Sequence, residues 1–472
     1  MSLKKTSIKT QKFSVKTYLN IGYILFLSIM FLPNERGEAS EKNQQRSFFA
    51  QGRQRAAPAD KVELKDFFHF GDHTYANNIH TILFHLKGDE FAPAHIRLNS
   101  AERLVLQFDD LDADFKNLYY TIIHCDAQWQ PTQIQKFEYI RGFHEDIIRD
   151  YSRSVNTLTP YTQYHLVFPN DNMEPIISGN FILKVYLDGD PEQVVFTRRF
   201  VVFEELVGVS GTVRQATLVR YRDTHQQLTF VVNTFNYLVS NPVQDLRVVI
   251  SQNGRWDNAI TGIAPRLIQG NRLTFEHDEN LLFEAGNEFR RFDTRSLRFR
   301  SERLGEIIPS SMHYEVFLLP DQPRAFRRYL TERDLNGGFE INTHDARDKN
   351  LESDYAYVHF RLPVHESFEN ASVHVMGAMT NWSFTEKNKM HFNQATRSYE
   401  ATILLKQGFY NYMYALLEEG ESTARLADIE GSFSEAENDY TIFIFHRRPG
   451  TLYDRLIGRG VLNSRILQVS PR

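Results

Sequence analysis

Apolar and polar side chains alternate every second residue through most of this chain, in short runs broken by Gly, Pro, Asn and Asp. That period leaves little room for anything but β-structure. Between Leu118 and Cys125, Leu118, Tyr120, Ile122 and His124 share one face and Tyr119, Thr121, Ile123 and Cys125 the other. Phe181–Leu187 and Val194–Phe203 flank Asp188-Gly189-Asp190-Pro191, the signature of a hairpin. Only Gln135–Tyr151 reads as an irregular or short helical excursion. The 37 Phe and 22 Tyr suit half-buried strand faces. The fold class expected is all-β, as tandem immunoglobulin-like or early-set β-sandwiches following an N-terminal signal peptide.

A chain of 472 residues accommodates about three domains. The expected units are residues 60–205, 206–349 and 350–448, with a loosely held basic tail at 449–472. Strands of the second are expected at Gln227–Val232, Asp245–Gln252, Arg272–Phe275, Ser296–Arg300 and Tyr314–Leu319. Those of the third are Tyr355–Leu362, Ser372–Val375, Tyr399–Leu405, Phe409–Leu416 and Tyr440–Phe445. No solenoid-type repeat is present, so at most three similar sandwiches stack in a row.

Lys4, Lys5, Lys9, Lys12 and Lys16 precede an apolar run from Thr17 to Leu32, then Pro33 and Gly37-Glu38-Ala39. This predicts a secretory signal peptide over 1–39, cleaved after Ala39, and a polar, flexible leader over 40–59. The run is shorter than the ~20 residues of a spanning helix, against the alternative of a membrane anchor. The whole chain carries 54 Lys and Arg against 59 Asp and Glu. Without the six basic and two acidic residues of the first 39, the remainder stands near −9, which argues against nucleic-acid binding. Cys125 is the single cysteine, so no intramolecular disulfide forms and core burial must hold the domains.

Five clusters invite a chemical reading. In His124-Cys125-Asp126, strand neighbours face opposite ways, so Cys125 reads as a buried small hydrophobe. His69, His73, His80 and His85 are dense but irregularly spaced, with no reason to converge on zinc. Asp334-Leu335-Asn336-Gly337-Gly338 lacks the further oxygen ligands of a calcium loop and reads as an Asx/Gly turn. Arg290, Arg291, Arg295, Arg298, Arg300 and Arg303, diluted by Glu288, Asp293 and Glu302, read as a solvated strand face with cross-strand ion pairs. The alternative for them is a docking face for an acidic partner or lipid headgroups. Met376–Trp382 followed by Lys406–Tyr412 is similar to the early-set sandwich of starch- and glycogen-binding modules, where exposed aromatics stack on sugars. Only Trp382 matches and no second platform tryptophan is present, so the likeness predicts the shape rather than the ligand. No residue is assigned a catalytic, cofactor-binding or metal-binding role: G-x-S-x-G, P-loop, H-E-x-x-H and C-x-x-C patterns do not occur.

A longer series of landmarks carries a family resemblance. It runs through His124-Cys125-Asp126, Trp129, Tyr139, Gly142-Phe143, Asp150-Tyr151-Ser152, Tyr161–Tyr164, Phe168-Pro169-Asn170 and Ser178-Gly179-Asn180. It continues through Gln226-Gln227, Asn241-Pro242, Arg255-Trp256-Asp257, Asn287–Arg290, Tyr329, Asp334–Gly337, Asp354–Ala356, Lys406-Gln407-Gly408 and Glu430-Gly431-Ser432. In this order, from about Asp60 to Gly458, the chain resembles the type IX secretion system plug proteins of Bacteroidota. The resemblance implies a non-enzymatic periplasmic protein, peripheral to the inner face of the outer membrane. It would close the periplasmic mouth of the outer-membrane translocon barrel until cargo or a carrier protein displaces it. It implies that barrel as partner, no nucleic acid, no small-molecule substrate and no cofactor, and it transfers no functional residues. The alternative from a different class is an exported carbohydrate-binding protein using the third domain around Trp382. Cargo of the same system and a membrane barrel are disfavoured by the short basic tail and by the mixed strand lengths.

Overall fold

The computed structural model describes residues 69–465, so the expected signal peptide and leader lie outside the described residues. The described chain is nearly all β, and none of its helices is long and apolar enough to cross a membrane.

The first sandwich packs two antiparallel sheets. One runs His73–Thr74, Val194–Phe203, Gly179–Leu187, Leu118–Cys125 and Asp146–Ile147, with His95–Arg97 parallel to Val194–Phe203. The other runs Ile79–Leu86, Leu104–Asp110, Thr162–Phe168 and Asp150–Arg153. The expected hairpin is there, in the register Phe181 opposite Phe200. Its inward rings, Phe181, Phe196 and Phe200, meet Phe108, Tyr120 and Phe168 in one core. The segment after Gln135 is a single helical turn, Lys136–Tyr139, followed by very short strands.

The other two sandwiches are not consecutive in the chain, which corrects the expected 206–349 and 350–448 division. Gly208–Gln215, His225–Asn233, Arg272–Glu276 and Leu267–Gln269 form one sheet. Its partner sheet runs Ile260–Thr261, Leu246–Gln252, Asp439–His446 and Arg455–Asn463. Leu246 pairs with His446 across almost two hundred residues, and Ile250 with Ile442. The strand read as closing the third unit therefore completes the second. The tail read as loose supplies its last strand, with Ile457 and Leu462 buried in the sandwich core.

The remaining sandwich is inserted between those halves. One continuous sheet runs Arg290–Asp293, Gly408–Glu418, Ala371–Met376, Lys389–Asn393, Ser398–Lys406, Tyr355–Pro363, Tyr314–Leu318 and Leu304–Pro309. It curls over a core in which Phe292, on one terminal strand, meets Phe360 at 5.7 Å between ring centroids. The Ser296–Arg300 strand expected from sequence is a bend, because the Asp345 carboxylate accepts from Ser296 Oγ at 3.0 Å and Leu297 N–H at 2.9 Å.

The three sandwiches do not stand in a row; each touches both others. Cys125, Trp129, Ile182 and Val201 of the first pack on Val249, Phe443 and Phe445 of the split one. Beside that seam the fully buried Asp454 accepts from Ala127 N–H at 3.0 Å and Arg447 Nε at 2.7 Å. Between the first and the inserted sandwich, Lys406 Nζ reaches Asp109 Oδ2 at 2.6 Å, and both side chains are 1 % exposed. Tyr355 OH donates to the same carboxylate at 2.7 Å, and Val155 N–H to Leu351 C=O at 2.8 Å. The split and inserted sandwiches join through Asn336 Nδ2 on Asp439 at 2.7 Å and Asn287 Nδ2 on Glu430 C=O at 2.8 Å.

Candidate interaction surface

The clusters singled out in the sequence do not assemble a reaction centre. His124 and Cys125 diverge. The imidazole lies beside Phe181 and Tyr453 with Nδ1 at 2.9 Å from Thr132 Oγ1, and burial holds it neutral with a pKa of about 4. The thiol faces the seam with the split sandwich, where burial pushes it up to about 12. The His69 and His73 rings lie 4.8 Å apart, tilted by 32°, whereas His80 turns to Asn77 C=O and His85 to Leu86 C=O. Asp334 holds a turn, accepting from Phe289 N–H at 2.5 Å and Asn336 N–H at 2.8 Å. Trp382 is half-buried and meets Phe289 edge-on at 5.9 Å. A Cβ on Gly337 would stand 2.2 Å from its Cη2. The tryptophan is a packing element, and the exposed platform that sugar binding requires is not formed there.

Two polar clusters that the sequence reading passed over are held by ion pairs of their own. Asp110, Asp112 and Asp114 converge, but on the ammonium of Lys116 at 2.5, 2.8 and 2.5 Å. A shallow cleft of about 400 Å3 on the first sandwich is lined by Asp146, Arg149, Asp150, His165 and Asn172. Arg149 pairs there with Asp146 at 2.8 Å, and His165 Nδ1 lies 3.0 Å from Asp150 Oδ2.

The arginine cluster is where structure and sequence differ most. It is not one solvated face. Arg290 is largely buried, its side chain 9 % exposed, and bridges two buried carboxylates, with Nε at 3.0 Å from Glu430 and Nη1 at 3.0 Å from Asp321. Asp321 also accepts from Arg303 at 2.6 Å, Tyr412 OH at 2.6 Å and Tyr414 OH at 2.7 Å. Glu430 also accepts from Arg324 at 2.7 Å and Tyr414 N–H at 2.9 Å. Burial works to raise the Glu430 pKa, but Arg290 and Arg324 outweigh it and hold it at about 2. Of the outer arginines, Arg295 pairs with Asp293 at 2.6 Å, Arg291 with Glu302 at 3.3 Å and Arg298 with Asp345 at 3.8 Å, while Arg300 is exposed with no ion pair among the described residues.

Removing this many charges from water is costly, and such networks are better explained by what they position than by net stability. This one fixes the feet of an irregular segment between Leu318 and Phe339. Asp321 and Arg324 anchor one end, with Arg324 N–H donating to Ile429 C=O at 2.7 Å. At the other end Tyr329 OH bonds the Glu288 carboxylate, which Arg465 also holds at 2.5 Å, and Asp334 follows. Between the feet the chain turns outward, with Arg327 N–H on Arg324 C=O at 2.9 Å. Phe326 at the tip is 103 % exposed, Leu330 is 67 % exposed, and Arg327 and Arg328 are exposed beside them. Sequence reasoning missed this loop. Pro320–Arg333 has no period, and only the spacing of Phe326 between Arg324 and Arg327-Arg328 could have marked it.

A family model for the first domain of type 9 secretion system plug proteins matches residues 79–204. A solved structure described as a hypothetical protein from Parabacteroides merdae ATCC 43184 is 33 % identical to this chain. The match covers 84 % of this chain and 100 % of that one, with a TM-score of 0.82. Dimeric latent PorU from Porphyromonas gingivalis aligns at 10 % identity over 82 % of this chain and 34 % of that one, with a TM-score of 0.14, and carries no argument. No curated protein matches the chain.

Proposed function

The chain belongs to the type IX secretion system plug protein family, and from that premise we propose that it is a non-enzymatic plug closing the periplasmic mouth of the outer-membrane translocon barrel between export events. A role in type IX secretion and an envelope-associated location follow from the family.

One observation carries it: the three sandwiches are welded pairwise by buried contacts, ion pairs and hydrogen bonds. A stopper across a wide pore must not hinge open. Domains tied only by linkers move relative to one another by default. Here every pair of domains shares a buried or hydrogen-bonded seam, so a load on one is passed to the other two. Such a body acts through its surface, by an interface on the order of 1,200–2,000 Å2 or more. Displacement by cargo or a carrier competing for that surface would reopen the pore.

The test is affinity purification of a C-terminally tagged chain from envelopes solubilised in mild detergent while export is stalled. A very large outer-membrane barrel in near-equal amount is expected. Recovery of the tagged protein free of any barrel would overturn the reading.

A further inference from the structure

We propose that the Phe326 loop is the element that docks this protein to its partner, inserting Phe326 and Leu330 into an apolar socket whose rim is acidic. The inference rests on the plug reading for the identity of the partner, the translocon barrel.

Four observations on the loop point the same way. Phe326 projects fully into solvent, which a folded chain does not need for its own core. Arg327, Arg328 and Arg333 are exposed and have no ion-pair partner among the described residues, whereas the arginines flanking the loop are paired. The acids next to them in sequence are engaged elsewhere, Glu332 by Arg291 at 3.6 Å and Asp334 by the Phe289 and Asn336 N–H groups. The loop is also held in advance by Asp321, Arg324 and Tyr329, so little ordering is lost when it binds. Aromatic residues and arginine dominate the energetically important positions of protein interfaces, and a few such residues suffice.

The unpaired positive charge of the loop selects an acidic partner surface. The chemistry favours a protein over a lipid surface. Recognition of anionic lipid takes clusters of about four to eight basic residues. The loop offers three unpaired ones, with two apolar side chains to insert.

The experiment places a photo-crosslinking p-benzoylphenylalanine at position 326 of the full chain in cells with stalled export. In parallel it measures capture of purified barrel by Phe326→Ala and by the Arg327→Glu/Arg328→Glu pair. These side chains are exposed, so both variants should melt like the parent. The expected result is a crosslink from position 326 to the barrel and capture weakened about tenfold or more in each variant. If the parent captures the barrel while both variants bind equally well without a crosslink, the loop inference falls and the plug reading stands. If the parent captures no barrel, both fall. Arg327- and Arg328-dependent sedimentation with phosphatidylethanolamine–phosphatidylglycerol vesicles, with no barrel crosslink, overturns the inference in favour of a lipid contact.

Discussion

Lys406→Met puts the weld between the first and inserted sandwiches to the test. Methionine keeps the aliphatic stem but removes the ammonium that lies 2.6 Å from Asp109, 2.9 Å from Asn350 C=O and 4.0 Å from the Tyr161 ring centroid. Asp109, 1 % exposed, is left with neutral donors, Tyr355 OH at 2.7 Å and Gln163 Nε2 at 3.3 Å. Breaking a buried pair from one side costs about 3–5 kcal/mol. Unfolding about 400 residues together releases about 0.8 kcal/mol/K, at roughly 2.1 cal/mol/K per residue. The melting temperature should therefore drop by about 4–6 °C. Asp109→Asn combined with Lys406→Met removes both charges and should recover most of the loss, because no buried charge is then unpaired. Differential scanning calorimetry of the parent, the two single variants and the double variant closes the cycle. A single variant within about 1 °C of the parent, or a double variant no better than the single ones, would refute the reasoning.

Three further outcomes follow from the same geometry. Glu430, at about 2 in the folded protein against 4.5 ordinarily, stabilises the fold fully above pH 4.5 and loses that contribution as pH falls towards 2. Urea melts at pH 5 and pH 3 should show a steeper loss for the parent than for Glu430→Gln, which has no proton to gain. Gly337→Ala should cost about 1–3 kcal/mol by overpacking and shift tryptophan emission to the red, since φ is +81° and the new Cβ collides with Trp382. Cys125 should stay silent to a thiol reagent such as DTNB in the native protein and react once urea unfolds it, because it is fully buried with a pKa near 12.

Period and turn chemistry made local structure legible, and they stopped where pairing becomes long-range. The hairpin of Gly179–Leu187 with Val194–Phe203 is marked by its own turn, and its strands fall within two residues of the reading. Tyr440–Phe445 alternates just as well, but alternation does not say which sheet a strand joins. Its partner, Leu246–Gln252, lies beyond an entire inserted sandwich. Ser296–Arg300 has strand-like alternation and is bent by a carboxylate forty-eight positions from Leu297. The arginine cluster failed as a surface reading for the same reason. Asp321 and Glu430, which draw Arg290 inside, arrive from segments 31 and 140 residues away. Trp382 was correctly placed in a sandwich, but its packing on Gly337 and Phe289 depends on a loop that only the fold brings over it. The Phe326 loop was illegible because its exposure is a property of the clasp beneath it, not of its own residues.

Ionic conductance through the barrel reports closure itself. The purified translocon barrel, reconstituted in a planar bilayer without cargo, should pass a large steady current. Adding the parent chain to the periplasmic side should abolish that current at a one-to-one ratio, with no effect from the opposite side. A barrel that conducts equally well with the chain bound would mean that the chain is not a plug, whatever the affinity between the two.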